Sequence, residues 1–225
     1  MARYGQYCPI TRSLELLGDR WTLLIVRDLL VGAERFNELA RGLPRLSRGL
    51  LSKRLDHLER AGLVDHVGDR YLPTQACEDL RPIVFGLAEW GARWAFGEPR
   101  PDELDATVLL WWMRGGIDAA AFGDRERTCL HVRFRSGTRR RFWLVVQAAD
   151  VSLCFVDPGF DVDVVVEADL DALYEVWDGR MEYGAAVRDR RLVVTGETAL
   201  VRALPRSLRL SPVAPLVRRA VAAPA

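Results

Sequence analysis

The sequence predicts a mainly α winged helix-turn-helix domain followed by an α+β domain with a mostly antiparallel sheet. Three observations carry that prediction. From Leu46 to Arg60, leucines recur at a helical period on one side and basic residues crowd the other, behind a short Gly/Pro turn. After Gly62 the period shortens from about 3.6 to about 2 over two brief runs flanking Gly68-Asp69, which reads as a small hairpin. Beyond Pro101 the chain turns to alternating or apolar runs of strand length mixed with helical ones. Two prolines between Gly97 and Pro101 set the boundary there, giving domains at 1–97 and 98–225.

Each element has a local reason. Ile10, Ser13, Leu14 and Leu17 form a short helical face ended by Gly18. Asp19 is the expected N-cap of a second helix running to about Leu30, with Trp21, Leu24, Ile25, Asp28 and Leu29 inward. Arg35 to Ala40 is a third, with Phe36, Leu39 and Ala40 inward, and Gly42-Leu43-Pro44 breaks the chain. Ser47 then caps a helix whose stripe is Leu51, Leu55 and Leu58, and Gly62 suits a left-handed stop. The runs Leu63–Val67 and Arg70–Pro73 make the hairpin, which in this position is a wing. Thr74 is expected to cap a long helix from Asp79 to about Phe96, whose apolar face exceeds what one small domain needs and so predicts a dimer surface.

In the second domain, Leu104 to Ile117 reads as a helix and Cys129–Phe134, Arg141–Val146, Ser152–Val156 and Val162–Glu167 as strands. A helix over Leu170–Trp177, a strand over Arg191–Thr195 and a helix over Glu197–Leu204 follow. The Pro- and Ala-rich tail from Ser207 is expected to be peripheral.

Composition narrows the function. At 225 residues, 49% hydrophobic and 28% charged, the chain can bury real cores. Its net charge of +1 excludes a surface that is basic throughout, so any nucleic-acid contact is local. Between Arg41 and Arg60 the cations Arg41, Arg45, Arg48, Lys53, Arg54 and Arg60 face only Asp56 and Glu59. Lys53 is the sole lysine of the chain. The longest apolar stretch, Val108 to Met113, is too short to span a bilayer, which predicts a cytoplasmic protein without membrane contact. Cys8, Cys77, Cys129 and Cys154 form no CxxC pair and the histidines are dispersed, so neither a metal nor a cofactor is expected. There is no nucleophile elbow, phosphate-binding glycine loop or HExxH, and the chain is not expected to be an enzyme.

Cys8-Pro9-Ile10, Asp19-Arg20-Trp21-Thr22-Leu23-Leu24-Ile25, Arg35-Phe36-Asn37-Glu38-Leu39 and the run from Leu50 to Val64 together resemble the HxlR family of winged helix-turn-helix transcriptional regulators, over about residues 5 to 96. The resemblance implies a dimeric DNA-binding regulator, with Ser47 to Ala61 as the recognition helix and the N-terminal segment and the Asp79–Phe96 helix pairing two subunits. Two departures stand out: the wing is trimmed to about ten residues with Arg70 its main cation, and simple members lack the C-terminal half. That half is similar to a sterol carrier protein type 2-like domain over about 105 to 210, on Asp169 to Arg180 and Leu192 to Glu197. Such domains enclose an apolar tunnel, which implies a ligand pocket here.

Arg48, Ser52 and Lys53, early in the recognition helix and outward, are the expected base readers, while Arg35, Ser47, Arg54 and Arg70 are expected at the DNA backbone. Ile10, Leu14, Leu87, Trp90 and Trp94 are expected at the homodimer interface. Trp111, Trp112, Trp143, Phe155, Tyr174 and Trp177 are expected to line a pocket for an apolar small molecule, the other reading of these aromatics being plain core. Cys8 stands where relatives carry a sensing thiol, which would require exposure and a lowered pKa; otherwise it is an inert thiol. Arg139-Arg140-Arg141, with Arg133 and Arg135, is a basic cluster at a hairpin turn, either a solvated loop or an added DNA or anion contact. The chain therefore reads as a homodimeric regulator binding a double-stranded operator. The alternative is a lipid carrier whose helical half is an interaction module.

Overall fold

The computed structural model describes residues 4–148 and 150–222. They group into two units, one running up to Ala88 and one from Glu89 onward.

The first unit holds α1 (Pro9–Leu17), α2 (Thr22–Leu30), α3 (Phe36–Gly42), α4 (Arg48–Arg60), β1 (Val64–Val67), β2 (Arg70–Pro73), α5 (Gln75–Glu78) and the first part of α6 (Arg81–Trp94). Pro9 opens α1, where its fixed φ suits a first turn and its missing N–H is no loss. The cap of α2 differs from expectation. Trp21, in the left-handed region at φ +81°, precedes the helix, and the Asp19 carboxylate is engaged by Arg54 instead of capping. Leu24 is also not inward but 38% exposed, because Ile25, Val26 and Leu29 already fill that face. Ser47 caps α4 by accepting the Leu50 N–H at 3.3 Å, and Gly62 at φ +70° closes it. The stripe Leu51, Leu55 and Leu58 is fully buried together with Ile25, Val26 and Leu39.

The wing pairs Val64 with Pro73 and Val67 with Arg70, with Gly68 at φ +64° in the first turn position, as a type II′ hairpin requires. A bridge between Arg35 and Arg70 and the Tyr71 N–H on the Glu34 carbonyl, at 2.6 Å, tie this ribbon to the start of α3. Thr74 caps the short α5 through the Cys77 N–H, not the long helix. Pro82 explains the break: it has no N–H to give to the Glu78 carbonyl, so the chain restarts at Arg81.

The second unit continues through α7 (Ala106–Arg114), β3 (Arg127–Phe134), β4 (Arg141–Gln147), β5 (Asp150–Cys154), β6 (Val164–Ala168), α8 (Leu170–Asp178), α9 (Tyr183–Arg188), β7 (Leu192–Gly196), α10 (Thr198–Ser207) and α11 (Ala214–Ala222). The five strands lie in the order β5-β4-β3-β6-β7, with β3 and β6 parallel and the other pairings antiparallel. The sheet is thus mixed but mostly antiparallel. Gly196, at φ +141°, lets β7 start its exit beside Asp163: a Cβ there would come within 2.2 Å of the Asp163 carbonyl oxygen. One face carries the core, from Leu130, Val132, Phe142, Leu144, Val164 and Val166 to the helices' Leu109, Leu110, Leu173 and Leu204. The tail is not peripheral as far as it is described. Ser207, Ser211, Ala214 and Val217 are buried, since the apolar residues of α11 recur at helical spacing and Pro215 falls in its first turn, where it is tolerated.

Candidate nucleic-acid interface

Helix α4 presents Arg48, Gly49, Ser52, Lys53, Asp56 and Arg60 to solvent while its leucines are in the core. The expected base readers Arg48, Ser52 and Lys53 therefore share the outward side of its first two turns. Arg48 is not loose. Its guanidinium donates to the Asn37 Oδ1 at 2.5 Å and lies 5.1 Å from the Phe36 ring centroid, so α3 positions it. Lys53 forms no ion pair among the described residues and is free to reach a base edge or phosphate.

The residues expected at the DNA backbone are each held by a neighbour. Arg35 bonds Asp69 at 2.9 Å, and that guanidinium, by hydrogen bond and charge, holds the Asp69 carboxyl below its ordinary range. Arg70 pairs with Glu34 and Arg54 with Asp19. The first two pairs cross the bridge between the wing and α3 and fasten one to the other. Stacked His66 and Tyr71 rings, 4.2 Å apart, stiffen the wing further. Ser47 is exposed, with its hydroxyl spent on the cap. Sequence reasoning missed Asn37 and Asp19, the residues that orient Arg48 and Arg54. Both partners are distant in sequence, and no local pattern announces them.

Helix α4 is also tied to α1: a His57 ring nitrogen lies 3.2 Å from the Leu16 carbonyl. At the other end of α1, Cys8 is the N-cap. Its partly exposed thiol makes no capping hydrogen bond, but the neighbouring Thr11 and Ile10 backbone N–H groups lower its pKa. The expected dimer residues are all exposed, Ile10 at 70% and Leu14 at 47% on α1, Leu87 at 54%, Trp90 at 59% and Trp94 at 65% on α6.

In the second unit the six aromatic residues expected around a pocket do not meet. Strand alternation places Trp143 on the opposite side of the sheet from Phe142 and Leu144, where it packs with Cys129 and Val145 and stacks on His131 at 4.7 Å. Phe155 lies past the end of β5 and is 49% exposed, because that strand ends at Cys154, two residues before the expected end. Tyr174 and Trp177 border the core, with the Tyr174 hydroxyl donating to the Asp105 carbonyl at 3.0 Å, and burial pushes its pKa up to about 12. Trp111 is buried and Trp112 half-buried. The core does contain an apolar cavity, lined by Leu110, Met113, Leu130, Tyr183 and Leu204 among others and by none of these six. Its volume is about 30 Å³, room for a water or two and about a tenth of the roughly 300 Å³ at which small-molecule pockets begin.

Among the described residues no helix is long and apolar enough to cross a membrane. Comparison with known proteins matches residues 16–98 to the HxlR-like helix-turn-helix family. The HTH-type transcriptional regulator Rv3095 of Mycobacterium tuberculosis is 40% identical over 100 residues, which are 41% of this chain and 61% of that protein. The chain thus spans about three fifths of the length of that relative. The HTH-type transcriptional regulator YvaP of Bacillus subtilis is 35% identical over 98 residues, 40% of this chain and 91% of that one. The C-terminal half aligns with solved sterol carrier protein 2 folds, among them sterol carrier protein 2 like 3 of Aedes aegypti, 14% identical over 46% of this chain and 95% of that one at a TM-score of 0.34. By the match over 16–98 and the near full-length similarity to YvaP, the chain belongs to the HxlR-like helix-turn-helix family.

Proposed function

We propose that this protein is a sequence-specific transcriptional regulator that binds a double-stranded operator as a homodimer. The observation that carries the reading is α4: a helix with its leucines fully buried, its N-terminal turns exposed, and Arg48 oriented by Asn37 at the point where a recognition helix meets base edges. Arg48, Ser52 and Lys53 read bases. Arg35, Ser47, Arg54 and Arg70 contact phosphates, Arg35 by exchanging its exposed Asp69 partner for DNA, and Arg54 and Arg70 by giving up half-buried Asp19 and Glu34. Ile10, Leu14, Leu87, Trp90 and Trp94 pair the subunits, which suits a pseudo-palindromic site, and the protein acts in the cytoplasm, where its DNA is.

The test is binding to duplex from upstream of its own gene, with and without competitor. Arg48→Ala and Lys53→Ala should each cost about 1–3 kcal/mol of discrimination, roughly five- to 150-fold in affinity. Unmutated protein with no preference over competitor DNA refutes the reading.

The cavity lined by apolar side chains and Tyr183 favours a second element, modulation by an apolar small molecule in the C-terminal unit. At about 30 Å³ it must widen to admit one, so such a ligand acts by selecting an opened form. Native mass spectrometry and thermal shift check this, and a unit that purifies empty and gains no stability from apolar ligands leaves it a dimerisation or structural domain. Cys8 is assigned as an oxidant-sensitive thiol on its lowered pKa at the head of α1. Mild oxidation should give a disulfide-linked dimer on non-reducing gels that Cys8→Ser abolishes, and unchanged migration counts against it.

A further inference from the structure

The end of the C-terminal sheet where β3 turns into β4 carries more positive charge than its own acids neutralise. Glu167 already pairs with Arg133 at 3.3 Å, Asp169 with Arg135 at 3.1 Å, and Asp171 and Glu175 with Arg191 at 2.9 and 3.1 Å. Arg139, Arg140, Arg141, Arg188 and Arg190 are exposed and form no ion pair among the described residues. Two exposed acids without an ion pair among the described residues offset them in part: Asp189, beside Arg188 and Arg190, and Asp157, which acts on His131 against Arg133 and Arg141.

Two features show that these arginines are gathered on a fixed platform. The Arg135 guanidinium donates to the Arg190 carbonyl at 2.6 Å, bringing the α9–β7 turn to the β3–β4 turn. A Cβ on Gly137, which sits at φ +80°, would come within 3.1 Å of the Leu170 side chain, so the β3–β4 turn lies tightly against α8. The strand register also sets Arg141 directly opposite Arg133. A like-charged cross-strand pair is unfavourable in the free protein and becomes favourable when an anion lies over it. His131 feels the same field, its pKa lowered first by burial and then by Arg133 and Arg141.

We propose that this sheet end, centred on Arg139, Arg140, Arg141, Arg188 and Arg190, is a second docking surface for the phosphate backbone of duplex DNA. The proposal rests on the regulator reading. The β3–β4 turn, residues 135–141, contains no apolar side chain to enter a bilayer, while Val187 beside Arg188 is 40% exposed, so the vesicle arm below separates a lipid surface from duplex. Planar guanidiniums in a row match phosphate oxygens. The recognition unit also has need of such help, since Arg35, Arg54 and Arg70 are each paired with a carboxylate.

The experiment uses the full chain and the variant R139A/R140A/R141A, whose sites are exposed and outside α4. Affinity for the promoter duplex and for a long random-sequence duplex is measured across salt concentrations, in parallel with vesicles of phosphatidylcholine with and without phosphatidylserine. The triple variant should lower the steepness of log affinity against log salt by about 2 to 3 on both duplexes, and R139K/R140K/R141K should restore it. In an R48A/K53A background the promoter preference should vanish while the random-duplex binding stays sensitive to the triple change. Equal salt slopes in parent and triple variant overturn the inference while leaving the regulator reading intact. Arginine-dependent binding to anionic vesicles without duplex binding overturns it in favour of a membrane surface. Loss of promoter preference in the unmutated protein is instead the failure of the regulator reading.

Discussion

Helices α4 and α6 are built on the same rule and meet opposite fates. Both place large apolar residues at helical spacing on one side: Leu51, Leu55 and Leu58 in α4, Ile83, Leu87, Trp90 and Trp94 in α6. In α4 every member of the stripe is fully buried. In α6 each is at least 54% exposed, and the helix contains no buried residue. Periodicity therefore reveals that a face exists without saying what covers it. For α4 the cover is in the chain, since Ile25, Val26, Leu29 and Leu39 share its core. For α6 the described residues supply none over these four, and leaving four large apolar side chains in water forgoes several kcal/mol of burial. A second copy is the cover we propose.

The sharpest way to break that comparison is to truncate one leucine on each helix. Leu55→Ala opens a cavity in a fully buried site and should cost about 2–5 kcal/mol in denaturant unfolding. Leu87→Ala should leave the stability of the dissociated subunit within about 0.5 kcal/mol. If both cost the same, α6 is as buried as α4 and the contrast fails. Next in size is association. Trp90→Ala should weaken self-association by about 2 kcal/mol or more, roughly thirtyfold, in sedimentation across a dilution series. Unchanged association would remove α6 from any dimer interface.

A third helix qualifies what a buried stripe can contain. Helix α2 buries Asp28 completely alongside Ile25 and Leu29, with one oxygen bonded to the Arg27 Nε at 2.7 Å and the other without a partner among the described residues. Burial, only partly offset by Arg27, pushes the Asp28 pKa from 3.8 up to about 6. The unfolded chain ionises this group near pH 4 and the folded one near pH 6. Stability is therefore lost as pH rises across that window, by up to about 3 kcal/mol, and stays lost above it. Asp28→Asn should flatten the pH 4 to 6 dependence and stabilise the protein at neutral pH. A wild-type stability that rises over the same window would contradict the burial account.

These cases also separate what the sequence could announce from what it could not. The α4 stripe, its Ser47 cap, the Gly62 stop and the Gly68 turn are local, each fixed by residues within a few positions, and the fold follows them. The Thr74 cap was local too, but Pro82 interrupts the helix it was expected to start. Trp143 was misplaced because aromatic composition does not say which side of a strand faces the core; its alternation with Phe142 and Leu144 does. Asn37 under Arg48 and Asp19 beside Arg54 depend on how α3 and α2 approach α4, which no window of sequence contains. Family resemblance pointed to α4 as the candidate recognition helix, while its electrostatic setting came only with three-dimensional contacts.

That setting yields the smallest effect and the most diagnostic sign. Arg35–Asp69 is an exposed pair on the wing, so breaking it from either side should change stability little, and less still in high salt. DNA affinity should split the two variants. Arg35→Ala removes the phosphate contact proposed above and should lower the salt slope by about 1. Asp69→Ala removes the carboxylate that competes with phosphate for the same guanidinium, so binding should tighten at unchanged sequence preference. Opposite signs in affinity with the same small stability loss mark Arg35 as a residue held ready for DNA. Two losses of equal size would make the pair a structural clasp between wing and α3, and leave Lys53 and Arg48 to hold the duplex without it.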